Sequence, residues 1–531
     1  MNHRKSGLLA ASIVTSLALV TGCGSGGGST GGGGAERAAE TSACPPVEED
    51  KIDPEGHFTW MYSVGNTSFD PDKITTNNSQ MYLYPIYDSL VHVDEAGEPQ
   101  PMLAKDWKVS EDGLSLEVNL IGGWTYHDGT PFDAESVKAN LDRHRAEGAW
   151  NANALEDVAE VTVKDKDTVT ITTKNGAAPL VPILAGSAGM MMSPAVFDDP
   201  NQALTPTGGS GAFKLAGYQP GAKVDYEAVD NYWDPDALHV AGMTYLVSGD
   251  DNARLNSVLT GQSDTTFLRA SMYEAAKADP EAVVCEAPSL SSYNFTLNVA
   301  RSEFGKDEVR EAINYAIDRK SIAAITNGFC APGAQMYPDF YFAASEEISA
   351  DEYAYDPAKA TELLKSAGLE QGFTFTLEVV NLAIYQQIAE IIQANLAAVG
   401  VTMNIMPVDI SKLSDDFSVQ KSADAQLSEQ KAEQDPSIQV ESYLLPGGFM
   451  NPGGWSNDEV TELAEEARTG KTNEERGELY AQLFDTVHEV TGPNVTLCHL
   501  TTPFVMNKQT MGVEIYADAS RQFRGVAKAK S

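Results

Sequence analysis

At 531 residues the chain is longer than one hydrophobic core usually organises, so two or more domains are expected. Its formal charge of −40 gives an acidic surface that repels phosphate backbones and anionic lipid, which excludes nucleic-acid binding. A hydrophobic content of 42% with only 8 histidines describes an ordinary soluble globular body.

The first residues stand apart. Arg4 and Lys5 form a basic start, and residues 8–20 an apolar run too short to span a bilayer as a permanent helix. The run ends in Val20-Thr-Gly-Cys23, which resembles the lipobox of bacterial lipoproteins. That resemblance implies removal of residues 1–22 as a signal peptide and attachment of lipid to Cys23. Losing Arg4 and Lys5, and no acid, takes the charge from −40 to −42. Residues 24–34 are nearly all Gly and Ser, a flexible tether, so 23–53 reads as anchor and spacer. Four further cysteines remain, Cys44, Cys285, Cys330 and Cys498. An even count outside the reducing cytoplasm favours disulfides, with three pairings open. No Cys-x-x-Cys spacing supports a four-cysteine metal site.

Order is expected from His57-Phe-Thr-Trp-Met-Tyr-Ser-Val64, an apolar strand followed by the loop Gly65-Asn-Thr-Ser-Phe-Asp-Pro71. Leu114-Ser-Leu-Glu-Val-Asn-Leu120 alternates as a half-buried strand does, Asp128-Gly-Thr-Pro is turn chemistry, and Asp133 is a helix N-cap. Residues 161–172 read as a hairpin, and Pro206-Thr-Gly-Gly-Ser-Gly-Ala-Phe213 as a Gly-rich turn before a strand. A short helix over 254–264 ends at Gly261, and 291–298 is an extended crossing segment. Val309, Ala312, Ile313, Ala316 and Ile317 form one stripe of an amphipathic helix over 309–319. Asp356-Pro opens a helix that Gly368 closes. Strand 373–380, helix 385–399 and strand 401–408 make a βαβ unit, which requires a parallel strand pair. Residues 493–506 form the final strand.

Several of these segments are words in a fixed order. Tyr87-Asp-Ser-Leu90, Pro101-Met-Leu-Ala-Lys-Asp-Trp107, Trp124-Thr-Tyr-His-Asp-Gly-Thr-Pro-Phe132, Asn231-Tyr-Trp233 and Val309-Arg-Glu-Ala-Ile-Asn-Tyr-Ala-Ile-Asp-Arg319 run from about 85 towards 515. Together they resemble the extracellular solute-binding proteins of family 5, the peptide/nickel class of receptors that serve ATP-binding-cassette importers. The resemblance implies an α/β, two-lobed periplasmic-binding-protein-like fold (type II, cluster C) with mixed sheets and a central ligand cleft. Lobe 1 would span 54–295 with an inserted subdomain at about 90–203, lobe 2 would span 296–497, and 498–531 would return to lobe 1. Two crossings make a hinge around a cleft. It further implies a lipid-anchored monomer outside the cytoplasm, whose partners are a small ligand and the permease, with no cofactor, no metal and no catalysis.

The resemblance also carries candidate contacts. Val64, Gly65 and Asn66 would reach one wall of the cleft. Trp150 and Asn151 align with aromatic contacts, Tyr385 with a ligand-facing position at a helix start, and His499 lies near the returning strand. Peptide-binding members hold the ligand's amine with an aspartate three residues before an acidic-Pro pair. Here that pair is Asp435-Pro436, and the position falls on Ala432 or, anchored on Asp424, on Glu433; the usual preceding Trp is missing. An ammonium buried without a carboxylate costs several kcal/mol. A peptide or peptide-like ligand is therefore expected, with a glycan, siderophore or metal chelate as the alternative. A hydrolase and a surface scaffold are weaker readings, since Gly-x-Ser-x-Gly and His-Glu-x-x-His are missing and Thr469-Gly-Lys-Thr472 fits a helix terminus. Asp70-Pro-Asp72 lacks the glycine and terminal Glu of a calcium loop, and His127-Asp128 fits a turn.

If the strands entering and leaving lobe 2 are antiparallel, Cys498 lies near Asn298 and about 40 Å from Cys285. With Cys330 in lobe 2 and Cys44 in lobe 1, the implied pairs are Cys44–Cys285 and Cys330–Cys498.

Overall fold

The computed structural model describes residues 43–531 apart from Asn231, Ala270, Ser271, Ala432, Gln434 and Ser531. Residues 1–22, Cys23 and the Gly/Ser tether lie outside the described residues.

An eleven-stranded mixed sheet runs through the molecule. At one end His57–Tyr62 pairs in parallel with Gly242–Val247 and with Thr265–Thr266. Antiparallel strands Lys223–Ala228 and Phe213–Gln219 extend this end. At the other end Thr374–Val380 lies between Thr402–Val408 and Ala425–Gln430, both parallel to it. The helix Ala383–Ala398 is the crossover of the expected βαβ unit. Two long antiparallel strands, Ala282–Leu297 and Asn494–Asn507, join the ends, with Ala282 opposite Asn507 and Thr296 opposite Asn494. Their register shifts between Pro288 and Ser292, where proline interrupts the ladder.

That register refines the cysteine geometry. Cys498 sits opposite Tyr293 rather than beside Asn298, so eight residues, roughly 27 Å of strand, separate it from the level of Cys285. Cys44 is bonded to Cys285 and Cys330 to Cys498, with Cα atoms 5.0 and 5.4 Å apart.

Local chemistry accounts for most elements. Asp133 caps the helix Ala134–His144 through the Ser136 amide, and Asp356 caps Pro357–Ser366. Gly261 and Gly368 take the left-handed conformation that ends their helices. Thr472 caps Asn473–Glu489, so the phosphate-loop look-alike is a helix junction. The stripe Val309, Ala312, Ile313, Ala316 and Ile317 is buried in the second-lobe core. The helix itself is Asp307–Ala316 and not one piece to 319, because Asp318 starts a second helix by accepting from the Lys320 and Ser321 amides.

A separate four-stranded sheet, Ala104–Val109, Ser115–Leu120, Thr168–Thr173 and Val158–Asp165, packs with Ala134–His144 around its own core. Two of the ordered words meet beneath it. Buried Asp88 accepts hydrogen bonds from Tyr232 Oη and Trp233 Nε1, and burial pushes its carboxyl up to about 6.

Candidate functional site

A cavity of about 1130 Å³ opens between the two ends of the sheet. Its first wall begins in the loop after His57–Tyr62. There Asp70 and Asp72 turn inward and are both held by Arg143, at 2.7 and 2.5 Å. Asp72 is also within 2.7 Å of His144 Nδ1 and accepts from Asn151 Nδ2 at 3.2 Å. The network continues through Ser187, which donates to Asn151 Oδ1 at 2.7 Å and accepts from Gln80 at 3.0 Å. Burial works against ionised Asp70, but the hydrogen bonds and charge of Arg143 outweigh it and hold the carboxyl below its ordinary value. This acidic loop is therefore an Arg/His-buttressed wall, and among the described residues no cluster fits a metal ion.

The opposite wall comes from the carboxyl end of Ala425–Gln430, the end where ligands bind parallel sheets. Glu429 and, beyond it, Lys431 and Glu433 line the cavity. Burial pushes the Glu429 carboxyl up, against the opposing charges of Lys431 and Arg521 and a 3.5 Å hydrogen bond from Tyr385 Oη. Glu433 is exposed in area but crowded by protein around it, and this desolvation pushes its carboxyl up too.

The returning C-terminal segment supplies the floor with Asp518, Ala519, Ser520 and Arg521. Ala519 adopts φ 57°, a left-handed conformation that a non-glycine residue takes only under constraint. Asp518 accepts from the Ser520 amide at 2.8 Å, and the Arg521 guanidinium lies 4.4 Å from the Phe267 ring centre.

Trp150, Asn151 and Glu433 line the cavity. Val64, Gly65 and Asn66 do not, because their loop turns onto its own lobe. The Val64 carbonyl accepts from Tyr82 Oη, the Asn66 carbonyl from Tyr218 Oη, and Gly65 backs onto Gly221. Tyr385 stands behind Glu429, edge-on to Tyr293. Asp435 is fully buried, where it caps Pro436–Leu444 and pairs with Arg476 at 2.8 Å. His499 is buried in Asn494–Asn507 opposite Ala331 and close to Gly333, and burial lowers its pKa to about 4. The sequence reading missed Glu429, Lys431 and Arg521. A signal existed for Glu429, a charge near the end of a strand that otherwise carries none.

The sheet, the paired crossing strands and the cavity between two α/β ends define a type II periplasmic binding protein. HbpA2 from Haemophilus parasuis superimposes with a TM-score of 0.80 at 21% identity, covering 90% of this chain and all of that one. DppA from Helicobacter pylori in complex with peptide STSA gives 0.73 at 22%, covering 91% and 99%. The model of bacterial extracellular solute-binding proteins, family 5 Middle, matches residues 98–448. The glutathione-binding protein GsiB of Escherichia coli K12 is 30% identical over 361 residues, 66% of this chain and 69% of that protein. The chain belongs to the family 5 extracellular solute-binding proteins and is the solute-binding component of an ATP-binding-cassette importer. Its homologues are extracytoplasmic binding proteins rather than enzymes. Among the described residues no helix is long and apolar enough to cross a membrane.

Proposed function

We propose that the chain binds a small peptide or peptide-like solute in this cavity and releases it unchanged to its permease. The observation that carries this is the mixed charge of the lining. Lys73, Lys431 and Arg521 face the same space as Glu429, Glu433 and Asp518, on a chain whose overall charge is −40. Such a lining answers both ends of a zwitterion, with ammonium toward the carboxylates of the second wall and carboxylate toward Arg521 or a lysine. A neutral glycan offers no charge to it, and an acidic one offers no ammonium. The relatives' glutathione, a peptide with one amine and two carboxylates, has the right chemistry. Trp150 and Asn151 would contact the ligand's far side; Tyr385, Asp435 and His499 would support the fold around it.

The same proposal has residues 1–22 removed, Cys23 acylated, and a monomer held outside the membrane by its lipid. Its lobes are 54–295, with the insertion at about 90–203, and 296–497, with 498–531 returning to the first. Native mass spectrometry of freshly purified protein tests the ligand class. A co-purified mass matching a small peptide or conjugate is expected, and a siderophore, glycan or metal chelate in its place sinks the reading. Intact-mass analysis of membrane-extracted protein with an unmodified Cys23 would refute the anchor.

A further inference from the structure

A second cavity, of about 770 Å³, adjoins the first and shares Ser291, Glu429, Ala519 and Arg521 with it. Its lining is different in kind. Phe267, Ile325, Phe329, Leu382, Ile384 and Leu500 give it an apolar character, where the first cavity is lined by charges and amides. Leu382 is the informative one. It is 56% exposed and sits at the N-cap of Ala383–Ala398, where it makes no side-chain capping bond. Ser, Thr, Asp or Asn at that position stabilises a helix, so leucine forgoes a cap and leaves an apolar side chain in water. Helix capping does not favour leucine there, and its side chain extends the apolar lining formed by its neighbours.

We infer that this second cavity receives an apolar group carried by the same ligand, so that the solute is amphipathic: a charged peptide-like head beside Glu429 and Arg521, and a hydrocarbon or aromatic arm against Leu382 and Phe267. The occupant is fixed by continuity, since the two spaces meet at the residues that hold the head. The inference rests on the peptide-like reading above and adds the arm to it.

The test compares glutathione with S-hexylglutathione by calorimetric titration, on the native protein and on Leu382→Ser. That substitution supplies a helix cap while removing the apolar contact, so the variant folds. On native protein the hexyl derivative binds roughly tenfold or more tightly than glutathione, with a more negative heat-capacity change. In Leu382→Ser that advantage shrinks by roughly fivefold or more, while glutathione itself changes by less than about twofold. Equal binding of the two ligands, or an advantage untouched by the substitution, overturns the inference. Should neither ligand bind, the peptide reading fails on its own, and anilinonaphthalene sulfonate then decides. Enhanced dye fluorescence that falls in Leu382→Ser supports the apolar cavity; no enhancement, or enhancement indifferent to Leu382, refutes it.

Discussion

On one face of the cleft Asp72 is met by Arg143, His144 and Asn151, whereas on the other Glu429 and Glu433 are left with raised pKa values and no ion pair among the described residues. Both faces carry acidic residues at or beyond the ends of strands. What separates them is whether the protein supplies the partner. A carboxylate already paired by its own chain is rigid wall and offers a ligand little; one kept desolvated and unpaired gains when a cation arrives. In the proposed binding mode the first face preorganises the cavity and the second meets the ligand's charge, which limits the ordering that binding must pay for.

The comparison breaks most visibly where the pairing is removed. Asp72→Ala removes one of the two carboxylates that hold Arg143, which keeps Asp70, and the carboxylate beside buried His144, and is expected to destabilise the protein by about 3 kcal/mol. Asp435→Ala leaves fully buried Arg476 in the second lobe without its carboxylate and is expected to cost about 3–5 kcal/mol. Both should appear as lower urea midpoints with little change in slope. A midpoint within experimental error of the native one for Asp72→Ala would mean that the first face is no scaffold.

This contrast explains how much could be read in advance. The fold was legible because it rests on local chemistry: caps at Asp133 and Asp356, left-handed glycines at 261 and 368, the buried stripe at 309–317. The order of the words then fixed how the pieces join. The site was legible only in part. Asp435 looks like a ligand group because the family resemblance puts its acidic-Pro pair beside the amine-binding position, yet Arg476, forty-one residues away, claims it. Glu429 and Arg521 are brought to one cavity by the returning C-terminal segment, a juxtaposition that no local pattern encodes. Val64 to Asn66 failed for the matching reason, since Tyr82 and Tyr218 hold that loop from a distance.

Glu378 sharpens the comparison by being a strained carboxyl that does not line the cleft. It is 4% exposed on Thr374–Val380, and burial, then the neighbouring charge of Asp416, push its carboxyl up to about 7. Because this folded-state value lies above the unfolded one, the group's contribution is full at low pH and is lost as pH rises from about 4.5 through about 7. Glu378→Gln is expected to match native stability near pH 4.5 and to exceed it above pH 7 by up to about 2–3 kcal/mol. Urea midpoints at pH 5 and pH 8 check this. Identical pH dependence of the two proteins would show that Asp416 is not met by a second negative charge there.

The smallest effect falls chiefly on binding. Glu433→Gln keeps the side chain's shape, removes its charge and touches no ion pair among the described residues, so the urea midpoint should not fall, and above the carboxyl's folded-state pKa it should rise, because desolvation raises this carboxyl. If Glu433 receives the ligand's ammonium, a charge-assisted hydrogen bond of roughly 1.5–3 kcal/mol disappears, and glutathione or the co-purified ligand binds about tenfold to a hundredfold more weakly. The pH dependence supplies a second handle. The free carboxyl is raised by desolvation, and an arriving ammonium lowers it, so binding releases a proton and native affinity falls on acidification. In Glu433→Gln that slope flattens to whatever Glu429 contributes, and the double variant with Glu429→Gln should keep only what Asp518 and the ligand's own carboxyls add. Acetylating the ligand's amine removes the same interaction from the other side: it should weaken binding to the native protein and leave Glu433→Gln almost unaffected. Equal affinity of the native protein for free and acetylated ligand would mean that no carboxylate on the second face reads an amine, and the charge contrast between the two walls would then concern folding only.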